Sequence, residues 1–185
     1  REAGDAEDSN ALTAAAEILS NSLRNLPHAP DLDVVRGIEG DAAKNYFAAL
    51  PLLVKQEARN KFTMDGRTRR PPRDRFNALL SFLYSMLMND CRSALEAVGL
   101  DPQLGFLHTV RPGRAALALD LMEEFRAIFA DRLALTLINR GQIGPNDFAE
   151  REGGAVLLEG NARRTVVVAY QERKQEEVMH PLLET

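Results

Sequence analysis

The stretch GFLHTVRPGRAALALDLMEEFR, residues 105–126, places one histidine, His108, shortly before Asp120, Glu123 and Glu124. Imidazole and carboxylate groups are the side chains that bind divalent cations and move protons. The three acids fall at i, i+3 and i+4 of a predicted helix and share one face. Asp120 and Glu124 therefore repel each other at the spacing that usually suits opposite charges. A cation would relieve that repulsion, and carboxylate oxygens with one imidazole suit Mn²⁺ or Mg²⁺. Zinc is compatible with these ligand types, but no H-E-x-x-H pattern or cysteine pair supports it. A further acid, Glu39, lies in RGIEGDAAKNYF between Gly37 and Gly40. Interior glycines each cost roughly 1 kcal/mol relative to alanine, so close approach of another backbone or a ligand would account for them.

Each residue also has a plainer reading. Acids in the N-terminal half of a helix relieve its macrodipole, and Glu123 can pair with Arg126 at i, i+3. His108 can cap or fill a core, and Glu39 can lie on the surface. On a helical wheel of residues 113–140, Ala118, Leu121, Met122, Phe125, Ile128 and Phe129 form an apolar stripe. The acidic face has Ala116, Ala127, Ala130 and Ala134 as neighbours rather than Lys or Gln. Alanine there implies that another element packs closely and leaves the carboxylates in a crevice. Nothing in the spacing alone brings Glu39 to the other two groups.

The elements that must position these groups read as mainly α, a helical bundle with one small β-hairpin. Residues 1–9 are acidic and small, a frayed linker, and residues 10–185 form one domain, with Ser9 or Asn10 capping the first helix. A second helix starts near Asp31 and meets Pro51. Asp74 caps a long third helix that Gly99 stops, and another runs from about Gly113, after a first-turn proline, to Arg140 and Gly141. The hairpin is predicted in AVLLEGNARRTVVVAY, around Glu-Gly-Asn-Ala, with a charged amphipathic helix closing the chain. Composition is that of a globular domain, with 45% hydrophobic and 27% charged residues. The single cysteine, Cys91, excludes a disulfide framework within the chain and favours a reducing, cytoplasmic home. The Arg start and the abrupt C-terminal end read as a piece of a longer protein.

Net charge is −4, yet RNKFTMDGRTRRPPRDR, residues 59–75, holds seven Arg or Lys against two Asp. That +5 stretch, with Gly66, Pro71 and Pro72, reads as a basic loop in an otherwise acidic chain.

RGIEGDAAKNYF, RPPRDRFNALLSFLYSMLMND, GLDPQLGFLHTVRPGRAALALDLMEEFR and INRG, in that order, resemble the CRISPR-associated spacer integrase family, the metal-dependent DNA endonucleases/integrases of CRISPR adaptation. The resemblance spans roughly Glu39 to Tyr170 and implies the family's C-terminal helical domain without its N-terminal β-rich dimerisation domain. It implies that Glu39, His108 and Glu123 hold the metal, Mn²⁺ or Mg²⁺, with Asp120 a fourth catalytic residue beside it. Asp is common at the last ligand position, so Glu123 is a variant with longer reach. Asn77 and Tyr84, seven residues apart on one helix face, are implied to flank the cleft; a cap neighbourhood and a buried tyrosine describe them equally well. Arg69, Arg70, Arg73, Arg111 and Arg114 are expected to hold double-stranded DNA by its phosphates. The implied reaction is attack of a DNA 3′-hydroxyl on a phosphodiester. The implied partners are a second copy of the full-length chain and the small ferredoxin-like CRISPR adaptation subunit, with no membrane. Two alternatives stay open: a related transposon-borne integrase, and a non-catalytic helical scaffold binding DNA or protein.

Overall fold

The computed structural model describes residues 6–177. Its order is α1 (Ala6–Asn25), α2 (Leu32–Ala49), the single turn α3 (Gln56–Arg59), α4 (Arg75–Ala97), α5 (Ala116–Phe125), α6 (Arg132–Asn139), β1 (Phe148–Arg151), β2 (Ala155–Leu158) and α7 (Gly160–Arg173). The expected mainly α fold with one small hairpin is the observed one.

The caps predicted for α2 and α4 are present. Asp31 accepts a hydrogen bond from the Val34 amide at 2.9 Å, and Asp74 accepts from the Asn77 amide at 2.7 Å. Both satisfy amides that a helix start leaves without intrahelical partners. Gly99 and Gly141 end their helices with φ of +79° and +67°, the left-handed region open to glycine.

Helix α4 is the axis of the core. Phe76, Leu79, Leu80, Leu83, Leu87, Cys91 and Leu95 are buried along it and pack with Met122, Phe129, Leu133 and Leu137 of the acidic helix region. Ala116, Ala130 and Ala134 are buried as well, whereas Ala127 is exposed, so the alanine face is packed only in part. Helix α7 closes the other side: Ala162, Val166 and Tyr170, spaced by four, are buried. The Tyr170 ring meets Phe129 edge-on with centroids 5.1 Å apart, and its hydroxyl donates to Asp90 at 2.7 Å.

Four expectations change. The first helix begins at Ala6, inside the stretch read as a frayed linker, and Asp8 there pairs with Arg59. The acidic helix starts at Ala116 rather than Gly113, whose φ of +74° cannot continue a right-handed helix. It is also interrupted by a π-helical turn, Arg126–Asp131. The hairpin pairs Phe148 with Leu158 and Arg151 with Ala155 across Gly153 and Gly154, both at positive φ, and the TVVVAY run is helical. Burial of every fourth residue outweighed the strand preference of three consecutive valines. The closing amphipathic helix lies partly outside the described residues.

The π-helical turn buries a carboxylate. Asp131 is 1% exposed and accepts hydrogen bonds from the Tyr46 hydroxyl of α2 at 2.7 Å and the Tyr84 hydroxyl of α4 at 2.5 Å. Burial pushes its carboxyl upward, while the two phenols and the nearby Arg126 and Arg67 pull against that shift. Asp131 thus joins α2, α4 and the acidic helix at one point. Replacing Tyr84 by Phe strips a donor from this carboxylate, a loss of about 1–3 kcal/mol. The expected drop in melting temperature is about 2–4 °C per kcal/mol for a chain of this size. A melt within one degree of wild type would remove Asp131 from its role as the joint.

Candidate metal and phosphoryl-transfer site

The site is built from a loop held against α5. Gly105 lies so close to that helix that an added Cβ would meet the Cβ of Ala116 at 2.7 Å, its carbonyl carbon at 2.8 Å and Asp120 Oδ2 at 2.9 Å. Only a glycine lets the loop lie there. The Asp120 carboxylate then accepts the amides of the next three residues: Phe106 at 2.6 Å and Leu107 at 3.1 Å on Oδ2, and His108 at 2.9 Å on Oδ1. The same Oδ1 lies 2.6 Å from Nδ1 of the His108 ring. Burial alone would raise the Asp120 pKa, but hydrogen bonds from the ring and amide of His108 and from the Phe106 and Leu107 amides hold it below the usual range. An ionised Asp120 accepts from Nδ1–H and leaves the Nε2 lone pair of His108 facing outward.

Nε2 is 3.6 Å from Oε1 of Glu123. That separation is too long for a hydrogen bond. It is comparable to two ligand atoms each about 2.1 Å from one ion, which lie roughly 3 Å apart. Glu123 also accepts from Arg126 at 3.3 Å, so the plain helical pair and the site geometry coexist. Burial raises the Glu123 pKa first and the Glu39 carboxylate raises it further, against the lowering effects of His108 and Arg126.

Glu39 is exposed on α2, and its charge is felt at Glu123. The link is Arg36, one turn earlier on α2, whose Nε donates to the Leu107 carbonyl at 2.8 Å beside His108. Residues at i and i+3 share a helix face, so the contact that docks α2 on the loop also turns Glu39 toward it. A Cβ at Gly37 or Gly40 would meet nothing within 4 Å. The expected close backbone is therefore absent among the described residues, and the two glycines leave the helix bare around Glu39. No group of three or more His, Cys, Asp or Glu side chains among the described residues is already drawn into a metal-sized cluster. The donor chemistry still fits a hard divalent cation: one imidazole nitrogen fixed in its acceptor form, and two acids whose charges oppose each other.

Several expected residues have other positions. Asp120 stands behind His108 with both oxygens occupied by loop amides and Nδ1. Asn77 is 0% exposed. Its Nδ2 donates to Gly66 and Asp74, and its Oδ1 accepts from Arg67 and the Thr68 amide, so it pins the basic loop. Tyr84 is buried on Asp131, with the guanidinium groups of Arg126 and Arg67 over its ring at 4.8 and 5.1 Å. Arg73 is exposed but donates to the Gly153 carbonyl at 2.7 Å, tying the loop to the hairpin. Arg69, Arg70 and Arg111 are exposed, Arg114 is half-buried, and Glu124 is exposed. Arg36 was overlooked in the sequence, although its place three residues before Glu39 was a usable signal. Asp131 was hidden within an amphipathic run.

The model of the family described as CRISPR associated protein Cas1 matches residues 1–172. A CRISPR-associated endonuclease Cas1 of Moorella thermoacetica is 58% identical over 183 residues, covering 99% of this chain and 53% of the relative. One from Chlorobaculum tepidum is 51% identical over 176 residues, covering 95% and 51%. The chain thus spans about half the length of these curated relatives. Among solved structures, a CAS1 protein from Thermotoga maritima superposes with TM-score 0.79 at 29% identity, over 96% of this chain and 59% of that one. A casposase bound to integration product gives 0.77 at 27%, over 90% and 49%. A Cas6-RT-Cas1–Cas2 complex gives 0.81 at 29%, over 97% and 20%.

The raised Glu123 pKa has a sign. A carboxyl that ionises less readily folded than unfolded lowers stability as pH rises through the carboxylate range. Glu123→Gln is therefore expected to raise the melting temperature of the chain in EDTA at pH 7.5, by about 2–4 °C for each kcal/mol relieved. The gain should shrink toward pH 4. A Glu123→Gln protein less stable than wild type at pH 7.5 would show that the Arg126 pair outweighs the repulsion.

Proposed function

This chain belongs to the CRISPR associated protein Cas1 family, and we propose that it forms the helical catalytic part of a metal-dependent DNA endonuclease/integrase. The reaction is attack of a DNA 3′-hydroxyl on a phosphodiester, inserting captured spacer DNA into a repeat array. With water as nucleophile the same displacement is hydrolysis. One observation carries this reading: the His108 ring is fixed through Nδ1 on Asp120, with Nε2 3.6 Å from Glu123 and Glu39 electrostatically coupled to that acid.

Glu39, His108 Nε2 and Glu123 would hold a divalent metal, Mn²⁺ or Mg²⁺. When bound, such an ion polarises phosphate oxygens and lowers the pKa of a coordinated nucleophile. Phosphoryl transfer depends on charge neutralisation and in-line positioning more than on covalent help from the protein. Asp120 engages Nδ1 of His108 and so orients the ring with Nε2 toward Glu123, where it would serve as a metal ligand. Arg126 steadies Glu123 from the protein side. Arg69, Arg70 and Arg111 are the exposed cations suited to the DNA backbone, with Arg114 behind them; Arg73 contributes by holding the loop. A casposase bound to integration product and a Cas6-RT-Cas1–Cas2 complex support DNA and protein partners; the proposed ones are double-stranded DNA, a second copy of the full-length protein and a small ferredoxin-like adaptation subunit. Identity of 58% to a CRISPR-associated endonuclease, against 27% to the casposase, favours the CRISPR reading over a transposon-borne one.

In the full-length protein, Glu39→Ala, His108→Ala and Glu123→Ala are each expected to reduce metal-dependent cleavage and strand transfer by at least about 100-fold, as removal of transition-state charge stabilisation does. The fold should persist by circular dichroism. Wild-type rates in any one of them would release that residue from the site. Arg69→Glu with Arg70→Glu should weaken DNA binding and lower the slope of log K against log salt by about 0.9 for each phosphate no longer neutralised. An unchanged slope would assign those arginines elsewhere.

A further inference from the structure

Phe106 is 81% exposed, the most exposed large hydrophobic side chain among the described residues, and it lies two residues from His108. It is not on a mobile tip. Its amide is bound to Asp120 at 2.6 Å, Gly105 before it is wedged against Ala116, and the Leu107 carbonyl after it accepts from Arg36. The contacts that orient the histidine therefore also fix the backbone that carries an uncovered phenyl ring. Two residues of extended chain span at most about 7 Å, and successive phosphates on one strand advance about 3.4 Å along the duplex. A phosphate held at His108 thus brings Phe106 within reach of a base one or two nucleotides away.

We infer that Phe106 is a stacking platform for an unpaired DNA base beside the phosphate at which the site acts. This rests on the DNA reading above. A phenyl ring needs an open base face, which the interior of a stacked duplex does not offer but a strand end, nick or gap does. Attack by a 3′-hydroxyl places such an end at the site. Stacking is indifferent to base identity because every base has a π-face. Exposed Arg111, five residues on, provides charge for the adjoining backbone. Leu104 and Val110, two residues before and four after Phe106, are 60% and 54% exposed. A protein partner would bury all three side chains, whereas a base covers the ring alone.

The test uses the full-length protein and a gapped duplex carrying 2-aminopurine at the gap edge. Wild type should quench the probe. Phe106→Ala should lose the quench and bind about 5- to 100-fold more weakly, the range for removal of one base–aromatic stack. Phe106→Trp should keep both, and the salt slope should not move. Leu104→Ser and Val110→Ser should behave as wild type. Phe106→Ala with undiminished quenching and affinity overturns the inference while the wild-type protein still cuts DNA. Equal losses in all three positions also overturn it, since they mark a protein-covered face. A wild-type protein that neither binds nor cuts DNA overturns the proposed function and this inference together.

Discussion

One carboxylate organises this site without facing outward from it. Asp120 accepts three consecutive backbone amides and the Nδ1 of His108, so a single side chain fixes the loop, the ring orientation and the tautomer. Charge-assisted hydrogen bonds of this kind are roughly twice as strong as neutral ones. They hold the Asp120 pKa down, which keeps the acceptor ionised at neutral pH. The consequence is a histidine with one nitrogen committed and the other turned toward Glu123.

A second buried carboxylate supports the first from below. Asp131 draws Tyr46 of α2 and Tyr84 of α4 onto the π-helical turn, and Arg126 at the start of that turn stacks over Tyr84 and reaches Glu123. π-bulges occur often at functional sites. Here the turn carries both the arginine that reaches Glu123 and the acid that holds Tyr46 and Tyr84. Arg36 completes the frame by tying α2 to the histidine loop. These contacts fix α2, the histidine loop and α5 relative to one another, and the Glu39 carboxylate raises the Glu123 pKa across them.

Much of this was legible from residue types. Asp31 and Asp74 announced helix starts, Gly99 and Gly141 announced stops, and the alanine face of the acidic helix announced a packed crevice. His108 and the acids Asp120, Glu123 and Glu124 could be nominated from spacing, and the choice of Glu39 and Glu123 among the acids came from family resemblance. The Asp120 role was not legible, because helical spacing places it on the face of Glu123 and Glu124 while its partners are amides of a loop. Amides carry no sequence signal; only the glycine at 105 hinted at the close approach. The π-helical turn was also hidden, since RAIFADRLAL keeps an amphipathic period through the bulge. The hairpin was displaced for a similar reason: TVVVAY has strand-forming residues, yet Val166 and Tyr170 pack on a helical period.

The chain belongs to the Cas1 family, and the proposed divalent cation would be held by groups from α2, the histidine loop and α5. The most direct measurement is a crystal structure of the full-length protein grown with Mn²⁺, read by anomalous scattering. The account predicts one peak contacted by Glu39, His108 Nε2 and Glu123, with Asp120 still on the loop amides and on Nδ1. A peak bound by Asp120 instead, or saturating Mn²⁺ with no peak among the three groups, would contradict it.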